Sequence, residues 1–400
     1  MSNELHPADQ AAYERIIAVR PAWTAMRSAK EAVGLEAHTL LHCGPPAPDG
    51  ESLVQPTLNS AAVACVFEGW ADSLQAGMAM VLAGEIRLQP AQDRRVATPM
   101  AAVVSPSMQL IEMTDLDGKA APAYAPINGG GSGASPAPRY GRCAPECVEF
   151  QHFLNGDVAS LMAEACREPV PWLPIIDHGL QNGDDCHLRH QSSHQRLVET
   201  MRSRIGSSGS AADQFIGEWP FYHLNFWMAG IRCILSTIEG MPNCSVICAF
   251  GGNGKQFGLQ VAAFPGRWFT IPATPPLGKL RPPHRPETTV GAYGDSAVVE
   301  AFGLGAMAHS FAPDMQALHA GFTPDDILDL PSKLLCGPHP ALADSGALVA
   351  LSARAVVKAG VSPVVELGIV DKQGEDGGLG AGIYRPSVAL FEAACAALQT

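Results

Sequence analysis

The sequence predicts a mixed α/β (α+β) fold with more than one domain, and three observations carry that prediction. The chain has 400 residues, enough for two or three domains. Hydrophobic residues make up 47% and charged residues 16%, a composition that forms buried cores and not a disordered chain. Apolar runs of strand length alternate with helically spaced segments at both ends of the chain, while the middle reads as helix. The expected division is an N-terminal α/β domain over 1–144, a helical insert over 145–240 and a C-terminal α/β domain over 241–400.

In chain order, residues 8–20 carry Tyr13, Ile16 and Ile17 at helical spacing, and Pro21 ends the pattern. His38 to His42 predicts a buried strand running into a loop whose prolines, Pro45, Pro46 and Pro48, forbid regular structure. Residues 58–83 predict two helices broken near Gly69, and 101–104 and 109–112 predict strands, so a βαβ-like alternation opens the chain. Helices are expected over 146–165, 184–205 and 213–240. Strands return at 245–250, 256–264 and 268–271, separated by glycines as in a hairpin or meander. After a proline-rich excursion over 272–286, helices are expected at 296–308 and 346–358 and a buried strand at 364–370. A closing helix over 386–398 has Pro386 in its first turn.

The net charge of −13 repels phosphate backbones and argues against a nucleic-acid partner. It leaves room for a small anionic substrate held in a local basic pocket. The N-terminal MSNELHPADQ lacks a basic segment followed by an apolar one, and no apolar run reaches spanning length. No membrane association is expected. Eleven cysteines, odd in number and without a framework, fit a reducing cytoplasm.

Gly183-Asp184-Asp185-Cys186-His187-Leu188-Arg189 is the densest polar cluster. With Asp184 as the cap of a helix, Asp184 and His187 would share one face, and Asp185 and Arg189 another. A carboxylate beside an imidazole fixes its tautomer and raises its basicity, as a general base needs, and Arg189 offers a two-point grip on an anion. The plain alternative is a capped helix with a surface ion pair. His187, His190 and His194 have helical spacing that would suit a metal, and Cys143, Cys147 and His152, or Cys244 and Cys248, resemble incomplete zinc sites. None has the spacing of an established motif, and no resident metal or cofactor is expected. Two glycine-rich stretches, Gly129 to Gly133 and Gly377 to Gly382, offer backbone N–H groups to an anion, although neither is a P-loop or dinucleotide fingerprint. Asp295 or Ser296 predicts a helix cap, with Glu300 one turn on, and Glu68 is a carboxylate in an otherwise apolar helix.

Eight stretches taken in order resemble the YlbE/AllG-like family. They are Leu40 to Pro46; Phe67 to Ala71; Pro99-Met100 with Ser105 to Met108; Gly183 to Arg189; Asn253-Gly254 with Phe257-Gly258; Arg267 to Thr270; Gly294 to Ser296 with Phe302 to Gly305; and Gly380 to Gly382 with Pro386. The resemblance runs from about residue 12 to the C-terminus. It implies a subunit of an oxamate carbamoyltransferase, near the end of purine and allantoin breakdown, where carbamoyl phosphate and oxamate interconvert with oxalurate and phosphate. It also implies partner subunits of FdrA type. A homo-oligomer is expected. The chain departs from the family where Lys and Arg follow the position of Asn128; here Ser-Gly-Ala-Ser-Pro-Ala-Pro stands there, with Arg139 just beyond.

The resemblance brings no established catalytic assignment, so the candidate site rests on residue chemistry and motif position. His187 is the base, oriented by Asp184, and Arg189 is the anion anchor, aided by backbone N–H groups at Asp295, Ser296, Gly380 and Gly382. Asn128 and Asn253 hydrogen-bond the amide, Glu300 and Glu68 support, and His42 lies in the first motif. Two rival functions remain: an amide or ring-opening hydrolase with a metal on His187, His190 and His194, and a scaffold subunit without catalysis.

Overall fold

Pro7 and the His6 side chain, which accepts from the Ala8 amide, start the first helix, Pro7–Ile16. The computed structural model describes residues 5–130 and 135–399. The architecture is mixed α/β, with five small sheets among the described residues. The first is antiparallel, in the order Ala123–Pro126, Gln109–Asp115, Pro21–Ser28, Val170–Pro171. The strand Pro21–Ser28 was not expected, because Thr24, Arg27 and Ser28 blur its apolar alternation. The helix His223–Ser236 packs on this sheet and is buried almost throughout, so it carries apolar residues on all sides. Trp23 meets Phe226 edge-on at 4.9 Å, and Trp172 stacks on Phe226 at 5.1 Å.

Thr39–His42 and Arg87–Pro90 pair in parallel, joined by the helices Gln55–Phe67 and Leu74–Leu82. The βαβ-like opening is therefore present, with Arg87–Pro90 as its second strand. The stretch 101–104 makes only a single bridge, Val104 to Leu41.

In the C-terminal part, Tyr293–Gly294, Ile247–Asn253, Gln256–Val261 and Phe269–Pro272 form an antiparallel sheet in that order. A second runs Leu277–Leu280, Gly378–Tyr384, Val365–Val370. The second glycine-rich stretch is thus a central strand and not a loop. Its glycines admit close neighbours: a Cβ on Gly380 would lie 2.5 Å from the Lys279 carbonyl oxygen. The expected helix 346–358 divides into the strand Leu348–Leu351 and the helix Ala353–Ala359, whose cap is Ser352. The expected helix 296–308 is interrupted at Gly303, with φ of 123°, between Val298–Phe302 and a 3₁₀ segment, Gly305–Phe311.

The expected helix 184–205 begins only at Gln191, running to Ile205. Asp185 explains the delay. Its Oδ1 accepts from the amides of His187, Leu188 and Arg189 at 2.7, 3.0 and 3.0 Å, and Cys186 is left-handed at φ 66°. Such local side-chain bonds compete with helix formation. The largest core cluster contains Trp23 and Ile111, Trp172 and Phe226, and Phe302 and Val349, so it draws on all three expected segments.

Candidate functional site

The loop at 184–190 sorts the polar cluster differently from its helical reading. Asp184 is buried, and its Oδ2 accepts from the Ser193 amide and hydroxyl, both at 2.8 Å. It caps the helix Gln191–Ile205 from outside, in place of His190, whose side chain makes no cap bond. Its Oδ1 holds Arg189 at 2.7 Å, and Asp314 takes the same guanidinium at 3.1 Å. Two carboxylates therefore occupy Arg189, and it does not line the cavity described below. Asp184 does not orient His187. That part is played by Glu300, whose Oε1 lies 2.7 Å from His187 Nδ1. Burial depresses the His187 imidazole, but the Glu300 carboxylate outweighs it and the net shift is upward. Burial pushes the Glu300 carboxyl up, and His187 partly offsets that. Gly305, at φ 61°, leaves room for the pair: a Cβ there would lie 2.2 Å from Glu300 Oε1.

His187 lines a cavity of about 240 Å³, together with Leu188, Asn128, Arg139, Ser296, Gly378, Gly380 and Ala381. The segments 183–189, 294–300 and 377–382 thus each contribute to its wall. Pro99, Met100, Tyr140, Phe221, Leu224 and Ile369 make most of the remaining wall apolar. Arg139 brings a guanidinium to this cavity. It donates to the Gly130 carbonyl at 2.9 Å and the Tyr140 hydroxyl at 3.0 Å, and stacks over the rings of Tyr140 and Phe221 at 4.5 and 4.9 Å. Asn128 Oδ1 accepts from the Arg139 amide at 3.4 Å.

The other expected residues have structural partners away from the cavity. Asp295 is not a helix cap; its carboxylate clamps the amides of Gly44 and Thr98 at 2.7 and 2.9 Å and the Gln92 amide group at 2.7 Å. Asn253 closes a turn, accepting from Lys255 and Gln256 and donating to Pro45. Glu68 ties down the loop at Ser105 and Ser107. His42 is buried against the Cys43 carbonyl at 2.8 Å, and desolvation lowers its pKa to about 4. Gly382 packs beneath Leu277. His190 and His194 turn to Phe221, Tyr222 and His223, and His194 bonds the Ile216 carbonyl. They do not form a metal set with His187. Gly131, Ser132 and Gly133 lie outside the described residues.

Close to His187, but not lining the cavity, lies a buried group of acids and imidazoles: Asp185, Glu300, Glu366, His309 and His319. His309 and His319 reach Glu366 Oε1 at 2.7 and 3.1 Å. These contacts hold the Glu366 carboxylate below its ordinary range despite burial.

The family described as oxamate carbamoyltransferase subunit AllG matches residues 86–296, more than half the chain. The chain belongs to the AllG family. It is 26% identical to the oxamate carbamoyltransferase subunit AllG of Escherichia coli (strain K12), over 100% of this chain and 98% of that one. It is 27% identical to the uncharacterized protein YahG of the same strain, over 98% and 86%. A crystal structure of a conserved protein of unknown function from Enterococcus faecalis V583 superposes with a TM-score of 0.88 at 24% identity, covering 98% of this chain and 97% of that chain. That likeness shows a shared fold.

Within this AllG-family chain, Arg139, Tyr140 and Phe221 are cavity residues that sequence reasoning passed over, as it did His309, His319 and Glu366. A signal for Glu366 existed: a lone carboxylate in the apolar run Val364 to Val370 is costly unless partnered. For Arg139 the signal was the positive charge displaced beyond the glycine-rich stretch.

Proposed function

We propose that this chain is a subunit of a carbamoyltransferase that joins carbamoyl phosphate to oxamate, or to a closely related small amide or ureide, in the cavity between Arg139 and His187. Membership of the AllG family supports the reaction class. The observation that carries the reading is the convergence of an oriented guanidinium, an imidazole and two hydroxyl or amide groups on one small, mostly apolar cavity. At about 240 Å³ it suits a few-atom ligand, below the size of ordinary drug pockets. Of the residues expected to act, His187 is buried and lines the cavity, which supports a chemical role over a bare scaffold.

In this reading the oxamate nitrogen attacks the carbamoyl carbon. A C–N bond forms, the C–O bond to phosphate breaks, and that electron pair leaves with the phosphate. Arg139 takes an anionic oxygen in a low-dielectric wall, where its attraction is strong. Asn128 and Ser296 donate to the carbamoyl oxygen as negative charge develops there. His187 accepts the proton shed by the nitrogen, with Glu300 fixing its ring by Nδ1. Subunits of FdrA type complete the enzyme. In the assembled complex, Arg139→Ala lowers phosphate release from carbamoyl phosphate plus oxamate on the order of a hundredfold. Arg139→Lys recovers only part, since an ammonium lacks the planar fork. Near-normal turnover in Arg139→Ala and His187→Ala would remove this cavity as the site.

A further inference from the structure

Three carboxylates and three imidazoles lie buried together: Asp185, Glu300, Glu366, His187, His309 and His319, none more than 1% exposed. Protein contacts account for part of this group. His187 Nδ1 and Glu300 Oε1 are hydrogen-bonded at 2.7 Å, and the same Oε1 also accepts from the amides of Ala306 and Glu366 at 3.2 and 3.1 Å, while Glu300 Oε2 has no partner. The other part is unbalanced. Asp185 Oδ2 and Glu366 Oε2 are buried and receive no donor from any other group, and the two carboxyl groups are in hydrogen-bond contact with each other. Ligand atoms of Asp185, His309 and Glu366 nevertheless lie within 4.8 Å of one another. Asp185 Oδ1 has its three backbone donors and Glu366 Oε1 has His309, so the imbalance lies at the two remaining oxygens, between which either a proton or a cation must stand.

We propose that Asp185, His309 and Glu366 form a site for one divalent first-row transition ion of the zinc or manganese(II) class. Two carboxylate oxygens and one imidazole nitrogen are donors that such ions accept, and no thiolate in the set favours a softer metal. A dication balances the two carboxylates and takes up their free oxygens. His319, 3.1 Å from Glu366 Oε1 and stacked beside His309, would steady that ligand. Three protein ligands leave positions open to water, as in sites that do more than staple a fold. The ion would link three segments distant in sequence: the loop after Asp184, the 3₁₀ segment Gly305–Phe311 and the strand Val365–Val370. It would sit beside the His187–Glu300 pair, whose ligand atoms lie within 4.8 Å of those of Glu366. This inference stands apart from the carbamoyl-transfer reading, because its test needs no turnover.

The test is metal content and thermal stability of the full chain, stripped with chelator and then reloaded with zinc or manganese(II) alone. About one ion per chain is expected, with a higher Tm in the loaded form. Glu366→Gln and His309→Ala should lose the ion, whereas His178→Ala, an exposed histidine outside the group, should keep it. Should both cluster variants fail to fold, anomalous diffraction at the metal edge from crystals of the unaltered chain decides, with a peak between Asp185, His309 and Glu366 as the supporting result. Unaltered chain that retains no ion overturns the proposal and leaves a protonated carboxyl pair in its place. An ion found elsewhere, or one retained by Glu366→Gln, overturns it equally.

Discussion

At the scale of single residues, Asp295 shows how a polar side chain in a family motif serves the fold. Fully buried, it gathers donors from residues 44, 92 and 98 onto one carboxylate. Burial outweighs those donors and pushes its pKa up to about 7. The unfolded chain ionises near the ordinary carboxylate value of 3.8, while the folded chain keeps its proton until pH nears 7. The folded state therefore binds more protons in between. Asp295's contribution is fullest below about pH 4 and is lost as pH rises through about 7, by up to about 4 kcal/mol. Urea midpoints measured from pH 4 to 8 should fall less steeply in Asp295→Asn than in the unaltered chain. Parallel pH profiles would show that this carboxyl does not titrate in that window. The sequence marked Asp295 as polar and motif-bound, yet helix-cap chemistry and a backbone clamp use the same residue type. Only the position of the 44 and 98 loops tells them apart.

At the scale of elements, long periodic segments were legible and short polar turns were not. The helices Pro7–Ile16, His223–Ser236 and Val388–Ala397 follow from apolar spacing and proline placement. The loop before Gln191 does not, because its polar residues suit a helix start and an Asx-type turn equally well until Asp185 is seen holding three amides. That misplaced helix also misassigned the partner of His187: the carboxylate three residues upstream caps a helix, and the one that meets the ring is 113 positions downstream. Sequence spacing cannot report such a pairing. Asp184→Asn accordingly weakens the cap and the hold on Arg189, with an expected loss of about 2–3 kcal/mol. Amide exchange should accelerate over 191–196 while ligand affinity in the cavity is kept. Full stability with lost affinity would instead return Asp184 to the site.

At the scale of the whole molecule, the cavity exists because segments from every part of the chain share one core. Trp23, Ile111 and Met113 from the first 144 residues pack with Trp172, Phe226 and Trp227, and these with Phe302 and Val349. Three segments readable as separate in composition are joined by contacts that composition does not encode. Each such large side chain contributes roughly 1.5–3 kcal/mol when buried. Losing several of them would consume most of a typical net stability of about 5–15 kcal/mol. A chain of residues 145–400 alone would also expose the face of His223–Ser236 that rests on Gln109–Asp115 and Ala123–Pro126. Such a fragment should lack near-ultraviolet circular dichroism, bind a hydrophobic dye and unfold without a cooperative transition. Cooperative unfolding of the fragment would mean that the C-terminal core is self-sufficient. The cavity, which takes Pro99, Met100, Asn128 and Arg139 from before residue 145, would then be a seam between independently folding parts and not a product of the common core.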